Sequence, residues 1–159
     1  MGHRKLREVE CASPCDWPGC IPRSRRARGS AARGITYEKN LASALRKSWP
    51  SVIYGQWFSY KADGQTGFCQ TDFLHLGHST IHVIECKLTN VEEATEQLFD
   101  LYFPVLRRAF LGRTVRGIIA ARSVHRAPLC ALVVPTLAEA LAVCDVRVPI
   151  LHWIGRGTI

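Results

Sequence analysis

Three consecutive segments rich in aromatic and β-branched residues constrain the fold of this chain more than any other feature. They occupy residues 52–60, 67–76 and 79–88, and their composition predicts three β-strands. A helical pattern of apolar residues precedes them at 35–49, and a second one follows at 90–109. Strands and amphipathic helices in this order bury their apolar faces in layers. We therefore expect an α/β protein with a mixed β-sheet flanked by helices.

Prolines and a capping residue indicate where the two helices begin and end. Pro50 disfavours helical geometry at Trp49, so the first helix is expected to end there. Asn90 is a suitable N-cap for the second helix. Pro104 lies inside that second pattern and lacks a backbone N–H, which predicts a kink or a break near Phe103.

The last third of the chain predicts three further elements. They are a strand at 115–121, a short helix at 135–144 and a strand at 147–154. Pro149 cannot donate to a ladder of hydrogen bonds, so it favours an edge position or a bulge for the last strand. The complete predicted order is α-β-β-β-α-β-α-β.

Composition limits the class of protein. Hydrophobic residues make up 47% of the 159 residues and charged residues 21%, which excludes a mostly disordered chain. No apolar run approaches the roughly 18 residues that span a bilayer, and residues 1–10 lack the apolar core of a signal peptide. The formal net charge is +8. We therefore expect a soluble, cytoplasmic protein with no membrane association and a polyanion as its partner.

The basic excess is concentrated near the amino terminus. Residues 1–34 hold eight Lys and Arg against three acids, a net of +5 that leaves +3 for the rest of the chain. Their large apolar residues are few, namely Leu6, Trp17 and Ile21, too few for a core of their own. This predicts a basic, cysteine-rich arm at 1–34 and a folded domain at 35–159.

The strands at 67–76 and 79–88 are expected to form a hairpin. If Gly77 and His78 make a two-residue turn, Leu76 faces Ser79. The cross-strand pairs that follow are Asp72 with Val83 and Gln70 with Glu85.

Two acids and a lysine fall on one face of this hairpin. Because side chains alternate along a strand, Asp72, Glu85 and Lys87 project from the same face, with the two acids as diagonal neighbours. Two carboxylates this close repel each other unless a counter-charge lies between them. A hard divalent cation such as Mg²⁺ supplies that charge and takes oxygen ligands. Lys87 is then placed to hold or polarise a water for in-line attack on phosphorus.

Glu38 adds a third acid from the first helix. It shares a stripe with Leu41, Leu45 and Trp49, at spacings of three, four and four residues. A carboxylate on a core-facing stripe is costly unless it meets a cation or a donor. The alternative is that Glu38 lies at the edge of the stripe in the first turn, where the helix dipole favours an acid.

In combination, these features resemble the PD-(D/E)XK nuclease superfamily, most closely its RecB-like and phage-type branches. The residues that carry the likeness are, in chain order, Gly34-x-x-Tyr37-Glu38, Asp72, Glu85-Cys86-Lys87 and the pair Gln97 and Tyr102. The likeness covers about residues 34–120. It implies a restriction-endonuclease-like fold, a mixed β-sheet flanked by helices with an α-β-β-β-α-β core.

The resemblance also implies metal-dependent hydrolysis of DNA phosphodiesters, with Mg²⁺ or Mn²⁺ as cofactor. Lys87 would orient the attacking water, and Gln97 would contact the site or the DNA. Two positions depart from the family pattern: Thr71 replaces a proline, and Gln97 and Tyr102 are five residues apart where four is usual. The implied metal ligands are Glu38, Asp72, Glu85 and the backbone carbonyl of Cys86.

The seven cysteines form two groups. The spacing of Cys11, Cys15 and Cys20 in CASPCDWPGC suits a small zinc knuckle, with His3 as the nearest candidate for a fourth ligand. The alternative is an unstructured arm with free thiols. The others lie in apolar surroundings and are expected to be small core residues. They are Cys69, Cys86, Cys130 and Cys144.

The sequence therefore favours a small metal-dependent deoxyribonuclease, either a structure-selective or a non-specific endonuclease, for which a homodimer would fit the small size. One alternative is a non-catalytic nucleic-acid-binding or adaptor protein on the same fold. Another is an interaction protein organised by zinc. The basic arm would bind the phosphate backbone of DNA without reading sequence. The arginines expected to do so are Arg23, Arg25, Arg26 and Arg28.

Overall fold

A computed structural model of the protein describes residues 5–21 and 29–155. Within these ranges the strands are β1 (Val9–Cys15), β2 (Ile53–Tyr54), β3 (Trp57–Ala62), β4 (Gln65–Gln70), β5 (Phe73–Leu76), β6 (Thr80–Lys87), β7 (Thr114–Ala121), β8 (Ala131–Val134) and β9 (Val148–His152). The helices are α1 (Ser30–Ser48), α2 (Val91–Gln97), α3 (Phe103–Ala109) and α4 (Leu137–Val143), and a π-helical turn at Leu98–Tyr102 joins α2 to α3.

The main sheet has six strands in the order β2-β5-β6-β7-β9-β8. The pairs of β2 with β5 and of β5 with β6 are antiparallel, and the remaining pairs are parallel. One face packs on α1 and α4, whereas the other packs on α2, the π-helical turn and α3. The predicted mixed α/β architecture with flanking helices is therefore confirmed. None of the helices in the described ranges is long and apolar enough to cross a membrane.

A second sheet of three strands, in the order β1-β3-β4, lies beside the main sheet. It exists because the predicted strands 52–60 and 67–76 are each broken in two. The breaks face each other: the Gly55 N–H donates to the carbonyl of Asp72 at 2.9 Å, and the Thr71 N–H donates to the carbonyl of Gln56 at 3.0 Å. Gly55 has a φ of 71°, which glycine adopts without steric cost. Asp72 thus lies at the bend between the two sheets.

Within the segment predicted as a basic arm at 1–34, the described residues 5–21 and 29–34 are part of the folded body. β1 pairs antiparallel with β3, and the predicted boundary between residues 34 and 35 falls inside α1. Leu6 and Val9 pack against the core that α3 and β3 share. The segment needs no core of its own because it covers one that the rest of the chain builds.

The hairpin of β5 and β6 has a different register from the predicted one. Leu76 pairs with Ile81 and not with Ser79, which leaves a four-residue turn closed by the Gly77 N–H bonding to the carbonyl of Thr80 at 2.9 Å. The predicted partners of Asp72 and Gln70 are therefore wrong, and Gln70 pairs instead with Trp57 in the second sheet. The shift amounts to two residues, so every side chain keeps its predicted face.

The helical segment after β6 begins where the sequence predicts, and its α-helical geometry is interrupted just before Phe103. The Asn90 side chain accepts a hydrogen bond from the Glu93 N–H at 3.1 Å. Pro104 has no N–H for the carbonyl of Asp100, and that carbonyl accepts the Leu6 N–H at 3.1 Å instead. The irregularity is a π-helical turn, in which the Phe103 N–H bonds to the carbonyl of Leu98.

The carboxyl-terminal part contains one strand that the sequence did not indicate. β8 forms the outer edge of the main sheet and covers β9, so the edge position predicted from Pro149 is wrong. The parallel ladder between β9 and β7 starts only at Ile150, one residue beyond the position where Pro149 lacks a donor. α4 begins after Thr136, whose hydroxyl accepts the Glu139 N–H at 3.3 Å.

A pair of histidines packed against Trp49 should make stability depend on pH. His75 and His82 pair across β5 and β6 and lie on the Trp49 ring at 4.6 and 5.5 Å between centroids. Burial lowers the pKa of both. For His82, the charges of His75 and Arg116 lower the pKa further, whereas Asp145 opposes them. A folded-state pKa below that of the unfolded chain gives stability that is present at neutral pH and is lost as pH falls below about 6.5.

Replacing both histidines with phenylalanine keeps rings against Trp49 and removes this titration. Between pH 7.5 and 5.5, we expect the wild type to lose on the order of 1 kcal/mol more stability than the double variant in urea unfolding. Equal losses in the two proteins would show that the histidines do not contribute, because all other titrating groups are common to both.

Candidate active site

The candidate site lies at the edge of the main sheet where the parallel strands end. Asp72 immediately precedes β5, which runs antiparallel to β6, so Asp72 is at the same edge as Glu85 and Lys87 at the end of β6. The carboxyl ends of β7 and β9 lie alongside. Ligands of open α/β sheets bind at this edge, because loops diverge there and leave a crevice.

The carboxyl groups of Asp72 and Glu85 lie close together, as predicted. Their proximity is electrostatically unfavourable when both are ionised. The Cys86 N–H donates to Asp72 Oδ2 at 2.7 Å, and the two carboxyl groups are within hydrogen-bonding distance of each other. Glu85 is 2% exposed, and its Oε2 has no hydrogen-bond donor among the described residues. Burial, followed by the charge of Asp72, raises the pKa of Glu85 well above its usual value. The pair must therefore hold either a proton or a cation.

Burial also raises the pKa of Asp72, against the opposing effects of the Cys86 N–H and the Lys87 charge. Lys87 is the counter-charge within reach. Its Nζ lies 3.2 Å from Glu85 Oε1 and 3.6 Å from Glu93 Oε1. Burial lowers the pKa of Lys87, but the charge and hydrogen bond of Glu85 outweigh burial and raise it overall. Lys87 is consequently a cation at neutral pH, so it acts as a donor and not as a base.

Gln97 and Tyr102 continue the network away from Lys87. Lys87 Nζ donates to Gln97 Oε1 at 3.2 Å, and Gln97 Nε2 donates to the Tyr102 hydroxyl at 2.6 Å. That hydroxyl donates in turn to the carbonyl of Gln70 at 2.6 Å. A π-helical turn brings residues i and i+5 together, so it compensates for the five-residue spacing between Gln97 and Tyr102. Such turns recur at functional sites for this kind of reason.

Glu38 approaches the site from the other layer of the fold. α1 packs on the face that carries Ile84 and Cys86, opposite the face of Glu85. The carboxylate of Glu38 accepts a hydrogen bond from the Tyr54 hydroxyl at 3.3 Å. Burial and then the charge of Asp72 raise its pKa. Because α1 begins at Ser30, Glu38 lies in the third turn, and the explanation from a first-turn position is wrong.

The residues present fit a hard divalent cation. Mg²⁺ and Mn²⁺ take oxygen ligands and commonly bind through one or two carboxylates, with waters and phosphate oxygens completing the shell. Asp72 and the unpaired Glu85 Oε2 supply two such ligands. Cys86 buries its side chain in the opposite core and offers only its backbone. In the described ranges no three His, Cys, Asp or Glu side chains gather closely enough to hold a metal by themselves, and Glu38, whose pKa the charge of Asp72 raises, stays a predicted ligand, directly or through water.

The predicted zinc knuckle does not form in β1. Cys11 and Cys15 lie four residues apart on an extended strand, about 13 Å along its axis. Zinc-bound sulfurs lie at most about 4.6 Å apart, so these two thiols cannot share an ion. Cys20 is exposed, and His3 lies outside the described residues. Strand pairing with β3 organises the part of this segment in Val9–Cys15.

Among the other four cysteines, burial confirms the core position predicted for Cys69, Cys86 and Cys144. Cys130 is exposed, so its predicted core position is wrong. It lies just before β8, the edge strand that the sequence did not indicate.

Two adjoining cavities lined by arginine lie near the end of β6, since Leu88 and Thr89 line one of them. They measure about 350 and 600 Å³ and share Arg33, Arg122 and Ile154 as lining residues. Arg122 follows β7 directly, and its N–H bonds to the carbonyl of Lys87 at 3.2 Å. Arg33 lies on α1, one turn before Tyr37. This basic cleft, defined by Arg33 and Arg122, adjoins the end of the strand that carries Glu85 and Lys87.

Sequence reasoning missed several members of the site. Tyr54 orients Glu38 from a two-residue strand that the sequence merged with β3. Arg33 lies in the segment that the sequence assigned to the basic arm, and no motif singled out Arg122. The position of Arg122 directly after a buried parallel strand was the available signal, since such residues face the ligand crevice. The arginines expected to bind DNA lie outside the described residues. They are Arg23, Arg25, Arg26 and Arg28.

No protein-family model and no curated protein matches the chain. Among solved structures, the crystal structure of protein VC1899 from Vibrio cholerae is similar over 79% of this chain, with 12% sequence identity and a TM-score of 0.38. The chain spans about a third of that protein, 32% of its length.

Proposed function

We propose that this protein is a metal-dependent DNA nuclease that hydrolyses phosphodiester bonds with Mg²⁺ or Mn²⁺. The observation that carries the proposal is the buried Glu85, which has an oxygen without a hydrogen-bond donor among the described residues and lies near enough to Asp72 for that charge to raise its pKa. A protein gains no stability from two adjacent buried carboxyl groups. Such strain recurs at sites where a ligand or a reaction relieves it.

The metal, when bound, would neutralise the two carboxylates and polarise a phosphoryl oxygen as a Lewis acid. The protein supplies orientation and hydrogen bonds. The Cys86 N–H fixes one oxygen of Asp72, and Lys87 fixes Oε1 of Glu85. Because Lys87 carries a proton, its ammonium can donate to an attacking water or to a phosphate oxygen as negative charge builds up. Gln97 holds this ammonium in place from the π-helical side.

The basic cleft provides a contact for the DNA backbone. Arg33 and Arg122 line this cleft from two different elements, and Leu88, the residue after Lys87, lines the larger of its two cavities. Arginine suits this role because its planar guanidinium binds phosphate through two donors. Contacts of this kind position a strand without reading its sequence, which agrees with a structure-selective or non-specific enzyme.

The direct test is incubation of the purified protein with supercoiled, linear, branched and single-stranded DNA in Mg²⁺, Mn²⁺ or EDTA. Cleavage is expected only with metal. DNA binding without metal-dependent cleavage, together with equal binding by Asp72→Ala, would identify a non-catalytic binding protein instead.

Lys87→Met separates the proposed role of the lysine from metal binding. We expect the cleavage rate to fall about 10²- to 10³-fold, the range seen when a transition-state donor is removed. The increase in melting temperature on adding Mg²⁺ should remain, since the carboxylates are unchanged. Lys47→Met, at an exposed position near the end of α1, is the matched control and should cleave at the wild-type rate. A wild-type rate in Lys87→Met would remove Lys87 from the mechanism.

A further inference from the structure

The ammonium group of Lys87 has three partners, and Glu93 is one of them. Lys87 Nζ lies 3.2 Å from Glu85 Oε1 and donates to Gln97 Oε1 at 3.2 Å. Glu93 Oε1 lies 3.6 Å from the same nitrogen. An ammonium carries three N–H donors, so one acceptor is present for each of them. A water or a phosphate oxygen that binds Lys87 must therefore displace one of these three partners.

Glu93 is the partner that a substrate can displace at the lowest cost. Its side chain is 43% exposed, whereas that of Glu85 is 3% exposed. Gln97 is held on its other side by a hydrogen bond of 2.6 Å to the Tyr102 hydroxyl. The Glu93 contact is the longest of the three and is longer than a hydrogen bond, so it is an ion pair. Ion pairs with exposed members contribute little to stability, which makes this one exchangeable.

Asn90 directs the carboxylate of Glu93 towards Lys87. The Asn90 side chain accepts a hydrogen bond from the Glu93 N–H at 3.1 Å, and its Nδ2 donates to Glu93 Oε2 at 3.1 Å. With Oε2 held in this way, Oε1 is the oxygen that faces Lys87. The residue that caps α2 thus also fixes the position of an anionic oxygen beside the candidate active site.

A carboxylate oxygen and a phosphate oxygen bind an ammonium in the same manner, through a short contact between opposite charges. We propose that Glu93 competes with a phosphate of the DNA for Lys87 and so weakens substrate binding. This inference rests on the proposed nuclease function and adds a regulatory contact to its site. The simpler alternative is that Glu93 acts only as an acid in the first turn of α2, where the helix dipole favours it. Glu92 occupies the same turn and allows the two explanations to be separated.

DNA affinity can be measured without cleavage by using the full chain with Asp72→Asn in EDTA and a short labelled duplex. Adding Glu93→Gln should strengthen binding about 5-fold, since Lys87 no longer exchanges an anion for the phosphate. Glutamine is the other residue that suits this position of a capping box, so α2 should still begin at its cap. In the protein with an intact Asp72 and Mg²⁺, Glu93→Gln should lower KM by a similar factor and leave kcat unchanged, because the contact is lost before the chemical step.

Two further variants show whether the effect depends on Lys87. Glu92→Gln removes the same charge from the same turn and should change DNA affinity by less than about 2-fold. Lys87→Met removes the group for which Glu93 competes. In the Lys87→Met protein, Glu93→Gln should therefore have no larger effect than Glu92→Gln, as a double-mutant cycle would measure.

The proposal is overturned if Glu93→Gln leaves the affinity unchanged, if Glu92→Gln has an equal effect, or if the increase persists in the Lys87→Met protein. Glu93 would then be only one of several acids that repel DNA. Metal-dependent cleavage with no Lys87-dependent effect of Glu93 would overturn the competition alone. A Lys87-dependent effect in a protein that cleaves no DNA would support the competition and overturn the nuclease. Absence of DNA binding in all variants would overturn both.

Discussion

Asp72→Asn is expected to give a protein that is more stable than the wild type in EDTA and cleaves no DNA. The amide oxygen of asparagine can still accept the Cys86 N–H, and its amide nitrogen can donate to Glu85, which in the wild type has an unpaired buried oxygen. The substitution removes one of two adjacent buried charges while keeping shape and packing. We expect a gain of about 1–2 kcal/mol in the free energy of unfolding and a loss of at least about 10³-fold in cleavage rate.

Added metal should reverse the order of stability. A ligand that binds only the folded state at 100 times its Kd stabilises it by about 2.7 kcal/mol, so saturating Mg²⁺ should raise the melting temperature of the wild type. The variant lacks one of the two carboxylates and should respond much less. Asp16→Asn changes an exposed aspartate outside the site and should behave like the wild type throughout. A variant that is less stable in EDTA, with an unchanged response to Mg²⁺, would place the cation elsewhere.

The proximity of Asp72 and Glu85 could be predicted, because it depends on which face of its strand each side chain occupies. It does not depend on which residues of the two strands are paired. The real hairpin has a four-residue turn, and its pairs differ from the predicted ones by two residues. An even shift moves partners along the strand but leaves each side chain on the same face. A shift of one residue would have sent Asp72 to the side of Cys86 and abolished the site.

The role of Tyr102 could not be predicted, because it depends on hydrogen bonds outside its own helix. An ordinary α-helix would turn Tyr102 away from Gln97, since residues five apart do not align. The π-helical turn that aligns them occurs where Pro104 leaves the carbonyl of Asp100 without a helical donor, and the N–H of Leu6 fills the vacancy. Only the three-dimensional arrangement places Leu6 there, 94 residues earlier in the chain.

The bend at Asp72 has a similar origin. The sequence from 67 to 76 alternates well enough to predict one continuous strand, and nothing within it calls for a break. The break is set by the facing strand, where Gly55 adopts a positive φ and bonds to the carbonyl of Asp72. In the middle of a regular strand, the backbone of Asp72 would be hydrogen-bonded to the neighbouring strands on both sides, and its side chain would be fixed in direction. At the bend, Asp72 is free to turn its carboxylate onto the Cys86 N–H.

Removing residues 1–16 should lower the free energy of unfolding by about 3 kcal/mol or more. This is a large loss for a segment that the sequence predicts to be an arm outside the folded domain. The truncation deletes β1, uncovers the apolar surface under Leu6 and Val9, and leaves Arg108 without the carbonyl of Glu10, which it bonds at 2.7 Å.

Urea unfolding followed by circular dichroism would measure this loss. The control is the full chain with the basic stretch neutralised, in which glutamine replaces Arg23, Arg25, Arg26 and Arg28. That variant should unfold like the wild type and bind DNA less tightly, with a weaker dependence on salt. If instead the truncated protein unfolds at the same urea concentration as the wild type, β1 contributes no stability, and the division into an arm and a domain describes the molecule better than a single body does.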